Sequence, residues 1–313
     1  MPEGRLPGSL GRPTGVDTRS ILVTGGSGFI GRHVVAALRA DGARVTVADL
    51  QPHPDPSVPV VLGDLTAPGA VERALSEGTD AVVHLAARTS VLGSLALPVE
   101  TYRTNVAMTA ELLDRCRVLG VGTFVLASTN AVVGGGAGEA SIDERSPLRP
   151  LTPYGSTKAA AEMLVSASDA AFGVRGVSLR FTNVYGTGMA AKDSIVARIM
   201  RAAVSGDTFQ IYGDGRQVRD YVFAEDVVAA MRLALDTEVR GPLVIGSGRS
   251  TSVLELLALA REATGAPLPA RHVPPKEGEM AGVRVDVSRA ARRGWSPTVG
   301  LEDGLARVWA AWR

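Results

Sequence analysis

A strand, a glycine-rich turn and a helix near the start of the chain constrain its fold most. Residues 21–23 form an apolar run that predicts a buried parallel strand, and Phe29–Ala40 carries apolar residues at helical spacing. The turn between them contains Gly25, Gly28 and Gly31, which permit a tight bend and close backbone approach. Such a turn presents unpaired N–H groups at a helix N-terminus, where a pyrophosphate can bind. We interpret it as a dinucleotide-binding turn.

An acidic residue after the second predicted strand bears on the choice of cofactor. The strand at residues 44–48 ends at Asp49, about twenty residues beyond the glycine turn, where a carboxylate can accept a hydrogen bond from a ribose 2′-hydroxyl. The same carboxylate repels a 2′-phosphate, and neither Leu50 nor Gln51 supplies a compensating cation. NAD is therefore favoured over NADP. The alternative, a surface Asp beside an ordinary turn, leaves the register of strand, turn, helix and acid unexplained.

A tyrosine and a lysine lie about 120 residues beyond the glycine turn. Together with a dinucleotide bound at that turn, they would form a redox site. Tyr154 and Lys158 are four residues apart, which places them on the same face of a helix. A free tyrosine, with a pKa of about 10, is too weak a base at neutral pH. The positive charges of Lys158 and of a nicotinamide would lower that pKa. The alternative is an ordinary helix start at Pro153 followed by a surface lysine.

Composition and charge exclude several classes of protein. The 313 residues are 45% hydrophobic and 21% charged, with a formal net charge of +1. This balance supplies a core and argues against nucleic-acid and anionic-membrane partners. No 18-residue apolar run predicts a membrane span, and Cys116 lies in a helical stretch as core filler. Residues 1–19 lack the features of a secretory signal and are interpreted as a flexible leader. We expect a cytoplasmic protein without a metal site.

Strand and helix patterns alternate over the first 180 residues. This alternation predicts an α/β fold with a parallel sheet, helices on both faces, and ligands at the carboxyl ends of the strands. The predicted strands are 21–23, 45–48, 58–62, 81–84, 123–126 and 176–179, and the clearest helices are 99–119 and 156–172. Beyond residue 181 the pattern loosens, with a strand at 243–245 and helices at 253–264 and 301–311. We divide the chain into a nucleotide-binding domain at 20–180 and a smaller lobe at 181–313, with a possible return of the chain to the sheet.

Several motifs resemble those of the extended short-chain dehydrogenase/reductases, and more narrowly those of the NAD-dependent nucleotide-sugar epimerase/dehydratase family. The resemblance runs from about residue 20 to the C-terminus. Its motifs are TGGSGFIG, Asp64-Leu65, HLAA at 84–87, TNV at 104–106, YxxxK at 154–158, LRFTNVYG at 179–186 and GDGRQVRDY at 213–221. It implies a Rossmann-type doubly wound parallel sheet with a smaller C-terminal α/β lobe for the substrate.

The resemblance also implies roles for individual residues. Thr129, Tyr154 and Lys158 correspond to the family's catalytic set. The NAD contacts it implies are Gly25, Gly28, Phe29, Ile30, Asp49, Asp64, Leu65, Leu85, Ala86, Ala87, Asn105, Ser128, Tyr154, Lys158 and Phe181. The nucleotide-sugar contacts it implies are Thr129, Tyr154, Asn183, Arg219, Lys276 and Glu279. Where related epimerases carry an Arg and an Asp, this chain has Lys276 and Glu279.

The two residues after Thr129 distinguish reactions within the family. The 4,6-dehydratases carry an Asp-Glu pair there, and the decarboxylating members keep a Glu, whereas this chain has Asn130 and Ala131. The resemblance therefore favours 4-epimerisation of a UDP-hexose or UDP-hexuronic acid through a transient 4-keto intermediate. A dehydratase, decarboxylase or C4 ketoreductase that draws its acid from elsewhere is an alternative. A non-catalytic NAD-binding sensor is another, although it would be expected to have lost Tyr154 or Lys158.

The sequence leaves the sugar open. Arg88 or Arg198 could contact a C6 carboxylate or could lie on the surface. The nucleotide is open as well, although frequency within the family favours UDP over dTDP or GDP. The resemblance also implies a homodimer formed through helices 99–119 and 156–172. The usual Tyr before the closing glycine of the catalytic motif is replaced by Val133, a change that alters the pocket wall.

The cofactor assignment predicts the effect of a double substitution. Asp49→Ala with Leu50→Arg should move the preference toward NADP, because it removes the repelling carboxylate and adds a cation for the 2′-phosphate. Binding of NAD and NADP to the stripped protein measures the change. Identification of NADP in the wild-type protein by mass spectrometry would contradict the assignment.

Overall fold

The structure is a computed structural model that describes most of the chain. The described residues are 18–134, 141–275 and 282–312. The predicted leader therefore lies almost wholly outside them, and so do the predicted substrate residues Lys276 and Glu279.

A seven-stranded parallel sheet forms the centre of the molecule, in the order β3-β2-β1-β4-β5-β6-β10. Its strands are β1 (Ser20–Thr24), β2 (Arg44–Asp49), β3 (Val60–Leu62), β4 (Ala81–His84), β5 (Thr123–Thr129), β6 (Arg175–Phe181) and β10 (Gly241–Ile245). The order reverses between β1 and β4, which opens a crevice at their carboxyl ends, as in dinucleotide-binding sheets. The predicted Rossmann-type fold is confirmed.

Helices cover both faces of the sheet because its strands are apolar on both sides. One face packs on α1 (Phe29–Ala40) and α8 (Ala224–Asp236), through residues such as Val34 and Met231. The other face packs on three helices through residues such as Leu112 and Val165. These helices are α2 (Ala70–Ala74), α5 (Met108–Leu119) and α6 (Pro153–Phe172).

Most of the remaining elements follow β6 in the chain and form the smaller lobe. Its strands are β7 (Asn183–Tyr185), β8 (Phe209–Tyr212), β9 (Val218–Phe223), β11 (Ser250–Ser252) and β12 (Ala270–Val273). The helices not yet named are α3 (Val91–Ala96), α4 (Pro98–Tyr102), α7 (Ile195–Ser205), α9 (Val253–Thr264), α10 (Ser288–Arg292) and α11 (Leu301–Ala310). Of these, α7, α9 and α11 share a core with β8 and β9, whereas α3 and α4 pack on α6 and α10 packs on β10.

The chain returns from this lobe to the central sheet. Strand β10 pairs in parallel with β6, from Gly241 beside Val177 to Ile245 beside Phe181. Helix α8, which precedes β10, packs on α1 and beneath β5 and β6. The lobe is therefore not one continuous segment after residue 181.

Several predicted elements differ in their bounds from those observed, and two of the differences concern more than the ends of an element. The predicted helix 99–119 consists of α4, a π-helical turn (Arg103–Ala107) and α5. The strand predicted at 58–62 begins only at Val60, because Val58 closes a turn onto the Asp55 carbonyl and Pro59 has no N–H to donate. Among the described residues, no helix is both long and apolar enough to cross a membrane. Cys116 is buried, and burial raises the pKa of its thiol to about 12, as expected for core filler.

Candidate active site

The predicted site residues converge on one edge of the sheet. Strands β1, β2, β4, β5 and β6 end at Thr24, Asp49, His84, Thr129 and Phe181. All these strands are parallel, so their carboxyl ends lie side by side along the crevice.

The glycine turn after β1 is packed backbone against backbone. Gly25 adopts a left-handed conformation with φ of +70°, and a Cβ on Gly31 would lie 2.2 Å from the Gly25 carbonyl oxygen. Helix α1 can therefore begin directly behind the strand. Its N-cap, Gly28, has no side chain to cap the helix, so the amides of the first turn, including those of Phe29 and Ile30, are available to an anion.

Asp49 is held in place by the same turn. One of its carboxylate oxygens accepts a hydrogen bond from the Ser27 amide at 3.0 Å, and the other accepts one from the Gln51 amide at 3.0 Å. This geometry fixes the carboxylate at the end of β2, beside the turn. Farther along the same edge, Asp64 is exposed and accepts hydrogen bonds from Thr66, whereas Leu65 is buried in the core.

The segment after β4 passes close to the glycine turn. Leu85, Ala86 and Ala87 are partly exposed at the end of the strand. A Cβ on Gly25 would lie 2.7 Å from the Ala86 nitrogen, and that nitrogen donates to the Thr24 hydroxyl at 3.2 Å. These backbone contacts form the floor of the crevice.

A buried histidine links this floor to the helices behind it. His84 Nδ1 lies 2.7 Å from the Thr24 hydroxyl, and Nε2 lies 3.0 Å from the Thr109 hydroxyl. Thr109 donates to the Asn105 carbonyl, so its oxygen must accept from Nε2–H, and Nδ1 accepts from Thr24. The ring is therefore neutral. Burial, together with the charge of Lys158, lowers its pKa to about 3.

Asn105 lies in the π-helical turn and is 1% exposed. Its Oδ1 accepts from the Arg88 amide at 2.8 Å, and its Nδ2 donates to the Arg88 carbonyl and to Thr157 Oγ1. Both amide hydrogens are thus used within the protein. Asn105 therefore connects the segment after β4 to helix α6. Its contact with NAD stays a prediction.

The predicted catalytic residues meet at the end of β5. Tyr154 lies in the first turn of α6, where the Thr152 hydroxyl accepts from the Gly155 amide as the N-cap. Burial raises the pKa of Tyr154 to about 12, and a hydrogen bond with Thr129 acts in the opposite direction. The Thr129 hydroxyl also lies 3.4 Å from Asn130 Oδ1. Without a bound cofactor, the pKa of Tyr154 is therefore raised. The lowering expected from the sequence includes the positive charge of a bound nicotinamide.

Lys158 lies one helical turn beyond Tyr154 and is 3% exposed. Burial lowers its pKa to about 8, and the negative charge of Glu162 opposes that shift. Ser128, predicted to contact NAD, donates its hydroxyl hydrogen to Glu162. Phe181 is buried at the end of β6, beside Thr129 in the sheet register.

The predicted substrate residues that the structure describes lie where the lobe meets the sheet. Asn183 is exposed and donates through Nδ2 to the Asp220 carbonyl at 2.9 Å. Arg219 is partly buried on β9 and donates to the Val218 carbonyl. Asp220, next to Arg219 on β9, accepts hydrogen bonds from Thr182 and Ser247. These bonds fix β9 against the end of β6.

Sequence reasoning did not identify several residues that organise this site. Ser94 is buried in α3, and its hydroxyl oxygen accepts from the Tyr154 amide at 3.1 Å. Glu162 and Arg180 form a buried ion pair behind Lys158. The spacing of Glu162, one turn beyond Lys158, was a usable signal, whereas Ser94 offered none because its partner is 60 residues away.

Comparison with known proteins identifies the family. Residues 21–246 match the model of the NAD dependent epimerase/dehydratase family. The chain belongs to this family. NAD is accordingly its cofactor, and the predicted cofactor is confirmed.

Relatives in the family catalyse more than one reaction. A putative UDP-glucose 4-epimerase of Methanocaldococcus jannaschii is 31% identical over 92% of this chain and 96% of its own length. A dTDP-glucose 4,6-dehydratase of Streptomyces griseus is 35% identical over 94% of each chain. The structure of a Thermotoga maritima UDP-glucose 4-epimerase with UDP-glucose has a TM-score of 0.90 and 32% identity, covering 94% of this chain and 98% of that one.

The site fits NAD on its own geometry. The uncapped start of α1 suits a pyrophosphate, and the close packing of Gly25, Gly31 and Ala86 brings backbone to the floor of the crevice. Asp49 presents an oriented carboxylate beside this turn for a ribose hydroxyl. When bound, NAD supplies the acceptor and donor of hydride.

The neutral His84 predicts a pH dependence of stability. Its folded-state pKa of about 3 lies below the ordinary value of 6.5, so the contribution to stability is complete above pH 6.5 and is lost as the pH falls toward 3. Between pH 6.5 and 4.5 the loss should be about 2–3 kcal/mol. Urea unfolding of wild type and His84→Gln across this range measures the difference in slope.

His272→Gln is the matched control, because it makes the same change at an exposed histidine outside the buried network of His84. Equal slopes for wild type and His84→Gln would show that His84 is not held neutral in the folded protein.

Proposed function

We propose that this protein catalyses the NAD-dependent 4-epimerisation of a UDP-hexose or UDP-hexuronic acid through a transient 4-keto intermediate. One observation carries the proposal. The Thr129–Tyr154 pair lies at the carboxyl end of β5 with Lys158 behind it, and the residues after Thr129 are Asn130 and Ala131. The site thus supports oxidation and reduction at C4 and lacks, at these two positions, the carboxyl groups used for elimination of water.

In the proposed mechanism, Tyr154 takes the proton of the sugar C4 hydroxyl while the C4 hydrogen leaves as hydride. Thr129 hydrogen-bonds the same oxygen and orients it toward Tyr154. Burial makes the isolated tyrosine hydroxyl reluctant to ionise, so the charges of Lys158 and of the bound nicotinamide must favour the tyrosinate. After the keto sugar turns in the pocket, Tyr154 returns the proton to the oxygen, and hydride reaches the opposite face of C4.

A dehydratase is the second candidate. It is favoured by the 35% identity to the Streptomyces griseus 4,6-dehydratase. That reaction needs an acid and a base near C5 and C6 of the sugar, and Asn130 supplies neither. A dehydratase would therefore have to draw both groups from elsewhere in the cleft.

The smaller lobe is the proposed site for the nucleotide and its two phosphates. Asn183 and Arg219 lie on neighbouring strands, β7 and β9, beside the crevice. Arg219 would supply a charge-assisted hydrogen bond to a phosphate. Lys276 and Glu279 belong to the same proposal, although they lie outside the described residues.

A homodimer and a cytoplasmic location are also proposed. The two helical stretches predicted to form the dimer expose apolar side chains to solvent. They are Val99, Tyr102, Val118, Met163 and Phe172, each more than half exposed. A second copy of the chain would bury them by pairing the same helices across a twofold axis. The single, buried cysteine is compatible with a reducing compartment.

The catalytic assignment predicts the products and the effect of two substitutions. The purified protein should interconvert C4 epimers of a UDP-sugar without added NAD, and should form neither a 4-keto-6-deoxy sugar nor carbon dioxide. Tyr154→Phe should lose activity while retaining NAD, because only the hydroxyl is removed. Thr129→Val should lower kcat by roughly 10²–10⁴-fold, as expected when one proton-transfer group is lost.

Chromatography of products from a panel of UDP-hexoses and UDP-hexuronates, with NAD quantified in each variant, provides the measurement. Tyr102→Phe is the matched control, since it removes an exposed tyrosine hydroxyl and should leave the rate unchanged. Near-normal activity of Tyr154→Phe would exclude the proposed base, and a 4-keto-6-deoxy product would favour the dehydratase.

The dimer proposal predicts the effect of a charge on the exposed apolar face. Light scattering should give twice the mass of one chain for the wild type and a single chain for Met163→Glu, because the charge cannot be desolvated at the interface. Val204→Glu changes an equally exposed valine on α7 and should stay dimeric. A monomeric wild type would refute the proposal.

A further inference from the structure

A buried glutamate behind the catalytic pair is not used in the mechanism above. Glu162 is 7% exposed and lies one turn beyond Lys158 on α6. Arg180 on β6 binds it through two groups, with Nε 3.1 Å from each carboxylate oxygen and Nη2 2.8 Å from Oε2. The Ser128 hydroxyl on β5 donates to Oε1. The carboxylate therefore joins three different elements.

These partners are immediate neighbours of residues at the reacting end of the site. Ser128 precedes Thr129, and Arg180 precedes Phe181. In the sheet, Ser128 pairs with Arg180, and Thr129 pairs with Phe181. A displacement of Glu162 would thus move the end of β5, and with it the Thr129 hydroxyl, relative to Tyr154.

We propose that Glu162 is a positioning residue for the redox chemistry, which fixes Thr129 against the helix that carries Tyr154 and Lys158 and supplies the negative charge behind the Lys158 ammonium. The effect of Glu162 on kcat rests on the proposed function, whereas its effect on the pKa of Lys158 does not.

The charges around Lys158 explain why a carboxylate is needed at this position. The charge of Glu162 acts on Lys158 from the same helix, and His84 on β4 lies close enough for the charge of Lys158 to shift its pKa. Tyr154 lies one turn before Lys158 on α6. His84 is neutral and Tyr154 is protonated at neutral pH, so neither offsets the cost of burying an ammonium. Within the described part of the chain, the negative charge that opposes burial of the ammonium is that of Glu162, and it holds the pKa of Lys158 near 8. Arg180 and Ser128 orient the carboxylate and satisfy its oxygens.

The lysine content of the chain allows a direct measurement. Lys158, Lys192 and Lys276 are the only lysines in the sequence. Lysine labelled with ¹³C at Cε should therefore give three NMR signals, and Lys158→Met identifies the one of interest. Its titration reports the ionisation of Lys158 without any need for turnover.

Glu162→Gln should lower the pKa of Lys158 by about one unit, because the opposing charge is lost while the shape of the side chain is kept. Asp169→Asn is the matched control. It converts a carboxylate to an amide on the same helix, two turns farther on, where Asp169 pairs with Arg240. The control should leave the Lys158 titration unchanged.

Loss of Glu162 alone leaves Arg180 buried without its partner, which can prevent folding. Glu162→Gln with Arg180→Met removes both charges and keeps the experiment possible. The Lys158 pKa should again lie below that of the wild type. An unchanged titration in these variants, or an equal shift in Asp169→Asn, would overturn the electrostatic role.

The kinetic readout tests positioning. Glu162→Gln should lower kcat on the order of 10-fold with little change in KM, since a small misplacement of a reacting group slows chemistry more than binding. The alkaline limb of its kcat profile should move to lower pH together with the NMR titration. An unchanged kcat and profile would overturn the positioning role. Absence of epimerase activity in the wild type, with the NMR shift intact, would instead reject the proposed function alone.

Discussion

The close contact between the first strand and the first helix determines where everything else in the site can lie. The backbone at Gly31 lies so near to Gly25 and Gly26 that any side chain there would overlap their atoms. This contact lets α1 begin directly behind β1 and points its open N-terminus at the crevice. Asp49 and Ala86 are held by the same turn, through the Ser27 amide and the Thr24 hydroxyl. The predicted cofactor contacts of these residues would thus follow from one packing constraint.

A chain of hydrogen bonds connects the glycine turn to helix α6, which contains Tyr154 and Lys158. Thr24 binds His84, His84 binds Thr109, and Thr109 donates to the carbonyl of Asn105 in the π-helical turn. Asn105 then binds Thr157, between Tyr154 and Lys158. A neutral imidazole is required here, because only it can accept from one hydroxyl while donating to another. The two halves of the site are therefore connected through a buried polar network in which the groups have partners.

The ionisation of Tyr154 and Lys158, the predicted catalytic residues, reflects the cost of burying charge. Burial disfavours the tyrosinate form of Tyr154 and the ammonium form of Lys158, so it works against the pair that the chemistry needs. Glu162 offsets this for the lysine, and Arg180 compensates Glu162 in turn. A hydrogen bond with the Thr129 hydroxyl lowers the pKa of Tyr154 in part, and the charge of Lys158 is proposed to act in the same direction. A bound nicotinamide cation would complete the balance of charge.

Local patterns in the sequence were sufficient for the strand, turn and helix at 21–40, for the position of Asp49 at the end of the second strand, and for the placement of Tyr154 and Lys158 on one helix, because each depends on residues close in the chain. Motifs were also sufficient for the family. Only the tertiary structure placed β10 beside β6, since a short apolar strand does not specify its neighbour. It also revealed the π-helical turn that directs Asn105 inward, and the meeting of Ser128, Glu162 and Arg180 from three elements. These features depend on the register between distant segments, which is set by packing across the whole sheet rather than by any local pattern.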